Sequence, residues 1–303
     1  MIKLKPLINK FFLLKKNISH INKFILHNRT YLKKKFVNND NKVLVEFNSF
    51  TSNHVILSNL ANIYSTKYSA KVESFFNYSL TSSPAYFGLK RNIKWYLGIL
   101  FSLGFFKIYK SFNIKKFIKP RINKIIANEA KLILDNILNN LRSNEDILKV
   151  KIKDIYVGDL IQDGYMYYKK IPKVNFKNLE FKNYLYDFIS IFLYWEDYLN
   201  KNNIKAVIGV HATYAYGIIF RIAVSKNIDA VLNIGGKIHK LSNKNKYQNI
   251  EYKFFREIFN NFTENDKVEA LKISDYFLKK RFLGKTSAEI NEYRITTSPF
   301  SLP

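Results

Sequence analysis

Apolar and polar residues recur along this chain with two different periods, and the changes between them mark its elements. Lys42–Phe50 (KVLVEFNSF) is rich in β-branched and aromatic residues and predicts a strand. Val55, Ile56, Leu60 and Ile63 then fall at helical spacing within 52–66, and Ala70–Tyr78 predicts a second strand. Strand, helix, strand is a βαβ unit, which implies parallel strands and a right-handed crossover. Ile126, Ala130, Ile133, Leu134, Ile137, Leu138 and Leu141 repeat at the helical period and predict a helix over 121–142. A short strand is expected over Lys149–Val157 and a loop over Gly158–Lys170. A second strong helix follows over 178–201, with Leu185, Phe188, Ile189, Phe192 and Leu193 on one face and Trp195 beside it.

Ala206–Val210 (AVIGV) is a nearly unbroken apolar run, as a strand buried on both faces requires. A helix over Thr213–Lys226 and a parallel strand over Asp229–Ile234 come next, closed by Gly235 and Gly236. Helices are expected near 251–262 and over 264–282, the second opened by a capping-box variant of Thr263 and Asp266. Strands alternating with helices give the fold class: α/β, an open, mostly parallel Rossmann-like sheet flanked by helices. The expected organisation is a basic amphipathic segment over 1–40, the α/β lobe over 41–283, and a linker over 284–303.

Two more apolar stretches bear on membranes. Leu7, Ile8, Phe11, Leu14, Ile18, Ile21 and Ile25 form one stripe on a helix, and Lys10, Lys15, Lys16 and Lys23 interrupt it. Those lysines exclude the unbroken apolar run of a signal peptide. The stripe reads either as a surface-lying membrane helix or as an ordinary docked helix. Trp95–Phe106 holds 12 residues without charge. It is too short to cross a bilayer, which takes about 20 residues. It reads as a membrane contact or as buried or inter-domain packing.

Composition narrows the classes. At 47% hydrophobic residues the chain has ample apolar surface to fold. The absence of Cys excludes a disulfide scaffold, a thiol nucleophile and a thiolate metal site. The formal net charge is +27, carried by 42 Lys and only 8 Arg. Lys, Asn, Ile, Phe and Tyr share AT-rich codons, so part of this charge reflects codon usage. Bidentate phosphate or base recognition favours Arg, and no RNP1-like motif or Arg cluster is present. The balance therefore weighs against nucleic acid as partner and suits the anionic face of the cytoplasmic membrane. A basic RNA-binding protein of ribosomal type remains the competing reading.

Open α/β sheets bind ligands at the carboxyl ends of their strands, and three segments meet that rule. His211, Thr213 and Tyr214 follow AVIGV at a helix start, where free N–H groups suit an anion or a sugar hydroxyl. His211 is a candidate general base there, or a structural histidine bonding a neighbouring loop. In the second segment, Gly158–Tyr165, Asp159 and Asp163 bring two carboxylates towards one site. Alternatively, Asp159 caps the following helix with Asp163 in its first turn. The third is Asn233 with Gly235 and Gly236. No dinucleotide, P-loop, HExxH or GxSxG pattern is present.

Taken in order, these segments resemble the bacterial capsule or lipopolysaccharide biosynthesis proteins of glycosyltransferase type. The resemblance rests on Gly158, Asp159, Ile161, Asp163 and Tyr165; then Tyr194, Trp195 and Glu196; then His211, Tyr214, Tyr216, Gly217, Arg221 and Ala223; then Asn233 and Gly235. It covers about residues 150–241. It implies the N-terminal, acceptor-binding lobe of a GT-B fold, a nucleotide sugar as co-substrate, a glycan or lipid-linked acceptor, and no bound cofactor or obligatory metal. It implies catalytic roles for His211, Asp163 and Asp159, substrate contacts from Thr213, Tyr214, Tyr165, Asn233, Gly235 and Gly236, and a place on the cytoplasmic side of the inner membrane. Two departures stand out. Tyr167 occupies the place of an Arg, and the chain stops at Pro303, where a second lobe would begin. A non-catalytic glycan-binding scaffold is the alternative within this resemblance.

Overall fold

The computed structural model describes residues 18–32, 40–48, 53–77, 89–234, 237–245 and 255–282. It divides into two compact units, 1–248 and 249–303, so the second unit begins inside the span expected for the lobe. The first unit carries the sheet. Its strands are β1 (Lys42–Glu46), β2 (Lys71–Phe75), β3 (Phe117–Ile118), β6 (Ile204–Gly209), β7 (Asp229–Ile234) and β8 (Lys237–Leu241), in the spatial order β3-β2-β1-β6-β7-β8. All pairs are parallel except β7 with β8. The expected fold class is observed, an open Rossmann-like sheet with helices packed on both faces.

Alternation along each central strand feeds two cores. Leu44, Val207 and Leu232 point to one side. There they meet α5 (Lys124–Asn140), α7 (Gly158–Lys169), α8 (Leu179–Lys201) and α9 (Ile218–Ser225). Val43, Val45, Ala206, Ile208 and Val231 point to the other side, against α1 (Ile18–Tyr31), α2 (Asn53–Tyr68) and α4 (Phe105–Ser111). The double-sided burial read from AVIGV is met, and β1–α2–β2 is the parallel unit expected. Ile21 and Ile25 of the N-terminal stripe pack into the second core, so the described end of that stripe is docked on the protein. Residues 1–17 and 284–303 lie outside the described residues. In the second unit, α10 (Phe255–Asn260) and α11 (Glu264–Phe282) match the expected helices. The Asp266 N–H donates to Thr263 Oγ1 at 3.2 Å, as the capping box requires.

Several expectations need correction. Lys149–Val157 is not one strand. It folds as a hairpin of β4 (Lys151–Ile152) and β5 (Ile155–Tyr156), preceded by the short α6 (Asn144–Leu148). Lys153 and Asp154 turn it with φ of 48° and 64°, the left-handed pair that a two-residue hairpin demands. Gly158–Lys170 is not a loop but α7. Its buried Leu160, Ile161 and Tyr165 hold a helix despite two glycines. The helix expected over Thr213–Lys226 opens as a 3-10 turn, Tyr214–Gly217, before α9. Strands β3 and β8 were not anticipated. The first is two residues long, and the second pairs antiparallel at an edge where Lys237 and Lys240 keep it polar.

Candidate functional site at the strand-order switch

Going along the sheet, the strand order reverses direction between β1 and β6, the place where folds of this class form a ligand crevice. Glu46 ends β1 at that point. It is buried, and its Oε2 accepts the Val210 N–H at 2.8 Å. The neighbouring strand makes room for it. A Cβ on Gly209 would lie 2.5 Å from Glu46 Oε2 and 2.7 Å from Phe220 Cζ. Burial pushes the Glu46 carboxyl up to about 7, although the hydrogen bonds from Val210 and Asn48 pull the other way. Tyr109 braces the same strand end: its hydroxyl accepts the Asn48 N–H at 2.8 Å and donates to the Glu46 carbonyl at 2.8 Å. Nothing in the hydrophobic pattern marked Glu46. The available signal was a lone carboxylate closing an apolar strand, KVLVE.

His211 follows Val210 directly, is exposed, and has its ring 6.0 Å from that of Tyr216. Asn77, just past β2, donates to the Tyr216 carbonyl at 3.1 Å. The segment after β2 is thus tied to the 3-10 turn Tyr214–Gly217 that follows β6. Thr213 is extended and makes no side-chain cap, and the turn after it is a single 3-10 turn, so the helix-start anion cradle expected there is reduced to that turn. Tyr214 sits at φ 54°, a left-handed backbone uncommon for a bulky residue. Its ring stacks on exposed Tyr167, 4.7 Å apart and inclined by 12°. The position where the resembled family carries Arg is therefore an aromatic platform here.

Helix α7 packs on that turn, so the two motifs separated in sequence do converge. Gly164 permits the approach, with a Cβ there facing Tyr214 Cβ at 3.5 Å and colliding with the Tyr184 hydroxyl. Val157 is the N-cap, so Asp159 is in the first turn and Asp163 in the second; neither caps the helix. Asp159 is held by buried Arg221, whose Nη2 meets Asp159 Oδ2 while Nη1 reaches Oδ1 at 3.2 Å. Arg221 also donates to the Tyr156 carbonyl at 3.1 Å. The Asp159 carboxylate is thus engaged in an ion pair, while Asp163 opens to solvent. The Asp163 carboxyl is raised from its ordinary value, first by partial desolvation and then by the charge of Asp159. Tyr165 is turned into the core against Phe181 and Tyr184.

On the α2 face, Asn233 is buried at the end of β7. Its Oδ1 lacks a hydrogen-bond partner among the described residues, as does Nδ1 of buried His54 in the first turn of α2. Burial lowers the His54 pKa from its ordinary value, since desolvation disfavours the charged imidazolium. Gly235 and Gly236 lie outside the described residues. Among those residues no three His, Asp or Glu side chains group as a metal site would. Compared with known proteins, the chain matches no family model, no curated protein and no solved structure.

Proposed function

We propose that this chain is the acceptor-binding lobe of a glycosyltransferase-type protein that moves a sugar from a nucleotide sugar to a glycan or lipid-linked hydroxyl. The observation that carries the reading is the switch point itself. An exposed His211 stands at the carboxyl end of β6 beside that switch, on a backbone that buried Glu46 holds by way of Val210. In the transfer, the acceptor oxygen forms a bond to the anomeric carbon and gives its proton to a base. The bond from that carbon to the diphosphate breaks, and the nucleoside diphosphate leaves with the electron pair. His211 is the base in this scheme. Glu46 is a positioning residue, because it acts on His211 through the Val210 backbone. The stacked pair Tyr167 and Tyr214 offers an apolar ring face of the kind that packs against a sugar ring.

The same aromatic pair supports a second reading, a glycan-binding lobe without turnover. Incubating the full chain with a panel of nucleotide sugars and glycan acceptors separates the two. Transfer that His211→Ala abolishes, with the fold unchanged by circular dichroism, supports the enzyme. Transfer unaltered by His211→Ala removes that residue from the mechanism. Glycan binding that Tyr167→Ala weakens, without any transfer by the wild type, favours the scaffold.

A further inference from the structure

Helix α3 (Leu89–Leu100) is apolar on two sides, and the fold uses only one. On the inner side Trp95 is buried. Its ring packs edge-on against Phe47 at 5.5 Å, Phe76 at 5.3 Å and Phe106 at 5.1 Å. The helix is anchored by that contact. On the outer side Ile93, Tyr96, Leu97 and Leu100 follow one another at helical spacing, and Phe101 and Leu103 extend the face into the next turn. Leu97 is 42% exposed, Phe101 65% and Leu100 71%. Contiguous exposure of large apolar side chains on this scale marks an interaction surface.

The charge around the face says what it meets. Between Glu73 and Glu129 the chain contains eight Lys, two Arg and no carboxylate. Codon usage can enrich Lys across a whole chain, but it does not clear one segment of acids. Of these cations, Lys107 and Arg121 are exposed, and Arg121 holds the Tyr96 hydroxyl; Lys116 is exposed too but pairs with Glu73 at 3.4 Å. A second copy of this face would bring cations against cations. A nucleic acid would have no use for the exposed Leu and Ile. No described helix is long and apolar enough to cross a membrane, and a helix of 12 residues is about 18 Å long. A short helix with an aliphatic outer face, a tyrosine at its rim and surrounding lysines has the character of one that lies in a bilayer surface.

We propose that the outer face of α3 and the turn after it dock this protein onto an anionic lipid bilayer. This docking does not depend on glycosyl transfer. The test is co-sedimentation of the full chain with vesicles of phosphatidylcholine alone or with about one third phosphatidylglycerol. Binding is expected to the anionic vesicles and to fall with added salt. The double substitution Leu97→Ser with Leu100→Ser is expected to weaken it roughly a hundredfold, while leaving the thermal midpoint in place because both side chains face outward. The chain has no cysteine of its own, so Leu100→Cys carrying an environment-sensitive fluorophore gives a second readout, a blue shift on adding anionic vesicles. The proposal fails if the wild type ignores anionic vesicles, if the double variant binds as the wild type does, or if the label keeps its aqueous spectrum in bound protein. It also fails if the wild type is a dimer in lipid-free solution that the double variant makes monomeric.

Discussion

Glu46 makes stability depend on pH in a way that one isosteric substitution removes. Its carboxyl has an ordinary value of 4.5 and is raised to about 7 in the fold, chiefly by burial. A group that holds its proton more tightly when folded favours the folded state at low pH. The benefit is full below about 4.5, declines between there and 7, and is gone above the folded value. With each unit worth about 1.4 kcal/mol, the wild type loses on the order of 3 kcal/mol from this group alone between pH 4 and pH 8. Glu46→Gln keeps an oxygen to accept the Val210 N–H and has nothing to titrate. The stability of the variant relative to wild type is therefore expected to rise by on the order of 3 kcal/mol over the same interval. Urea unfolding at a series of pH values, followed by the fluorescence of buried Trp95 and Trp195, measures this. Stability curves for wild type and variant that run parallel from pH 4 to 8 would refute the reasoning. They would mean that water or a relaxed backbone solvates the carboxylate.

Gly209→Ala is expected to cost about 1–3 kcal/mol by overpacking, since its methyl would meet Glu46 Oε2 at 2.5 Å and Phe220 Cζ at 2.7 Å. Calorimetry should show a fall of several degrees, about 2–4 °C per kcal/mol for a unit of this size. Arg221→Met removes the partner of Asp159, whose side chain remains only 18% exposed. The expected loss is about 2–3 kcal/mol, below the range for a fully buried pair because solvent screens Asp159 in part. Adding Asp159→Asn to Arg221→Met should recover part of that loss in urea titrations; strict additivity of the two changes would show that the ion pair is not coupled.

Much of this architecture was legible along the chain because burial writes itself as periodicity. The helices α5 and α8 and the strands β1, β2, β6 and β7 each carry an apolar pattern that one geometry satisfies, and their alternation determined the α/β class. The segment over 158–170 misled because Gly158, Asp159, Asp163 and Gly164 are turn-forming residues. Leu160, Ile161 and Tyr165 overrode them by packing into the core. Lys237–Leu241 has almost no buried side chain to announce it, and its strand exists only because β7 offers a free edge.

The candidate site divides the same way. The motifs around Asp159 and His211 could be picked out from residue types and spacing, and the fold does bring them together. What they do there was set by contacts no local pattern contains. Arg221 occupies Asp159 from 62 positions away, the core takes Tyr165, and Tyr167 finds Tyr214. Glu46 is the extreme case. Its carboxylate and the Val210 N–H are 164 residues apart in sequence, and they meet only because β6 inserts beside β1. A chain's local pattern determines which faces are buried. Which buried carboxylate ends up at the switch between β1 and β6, and therefore how it titrates, depends on strand order, and strand order belongs to the whole tertiary structure.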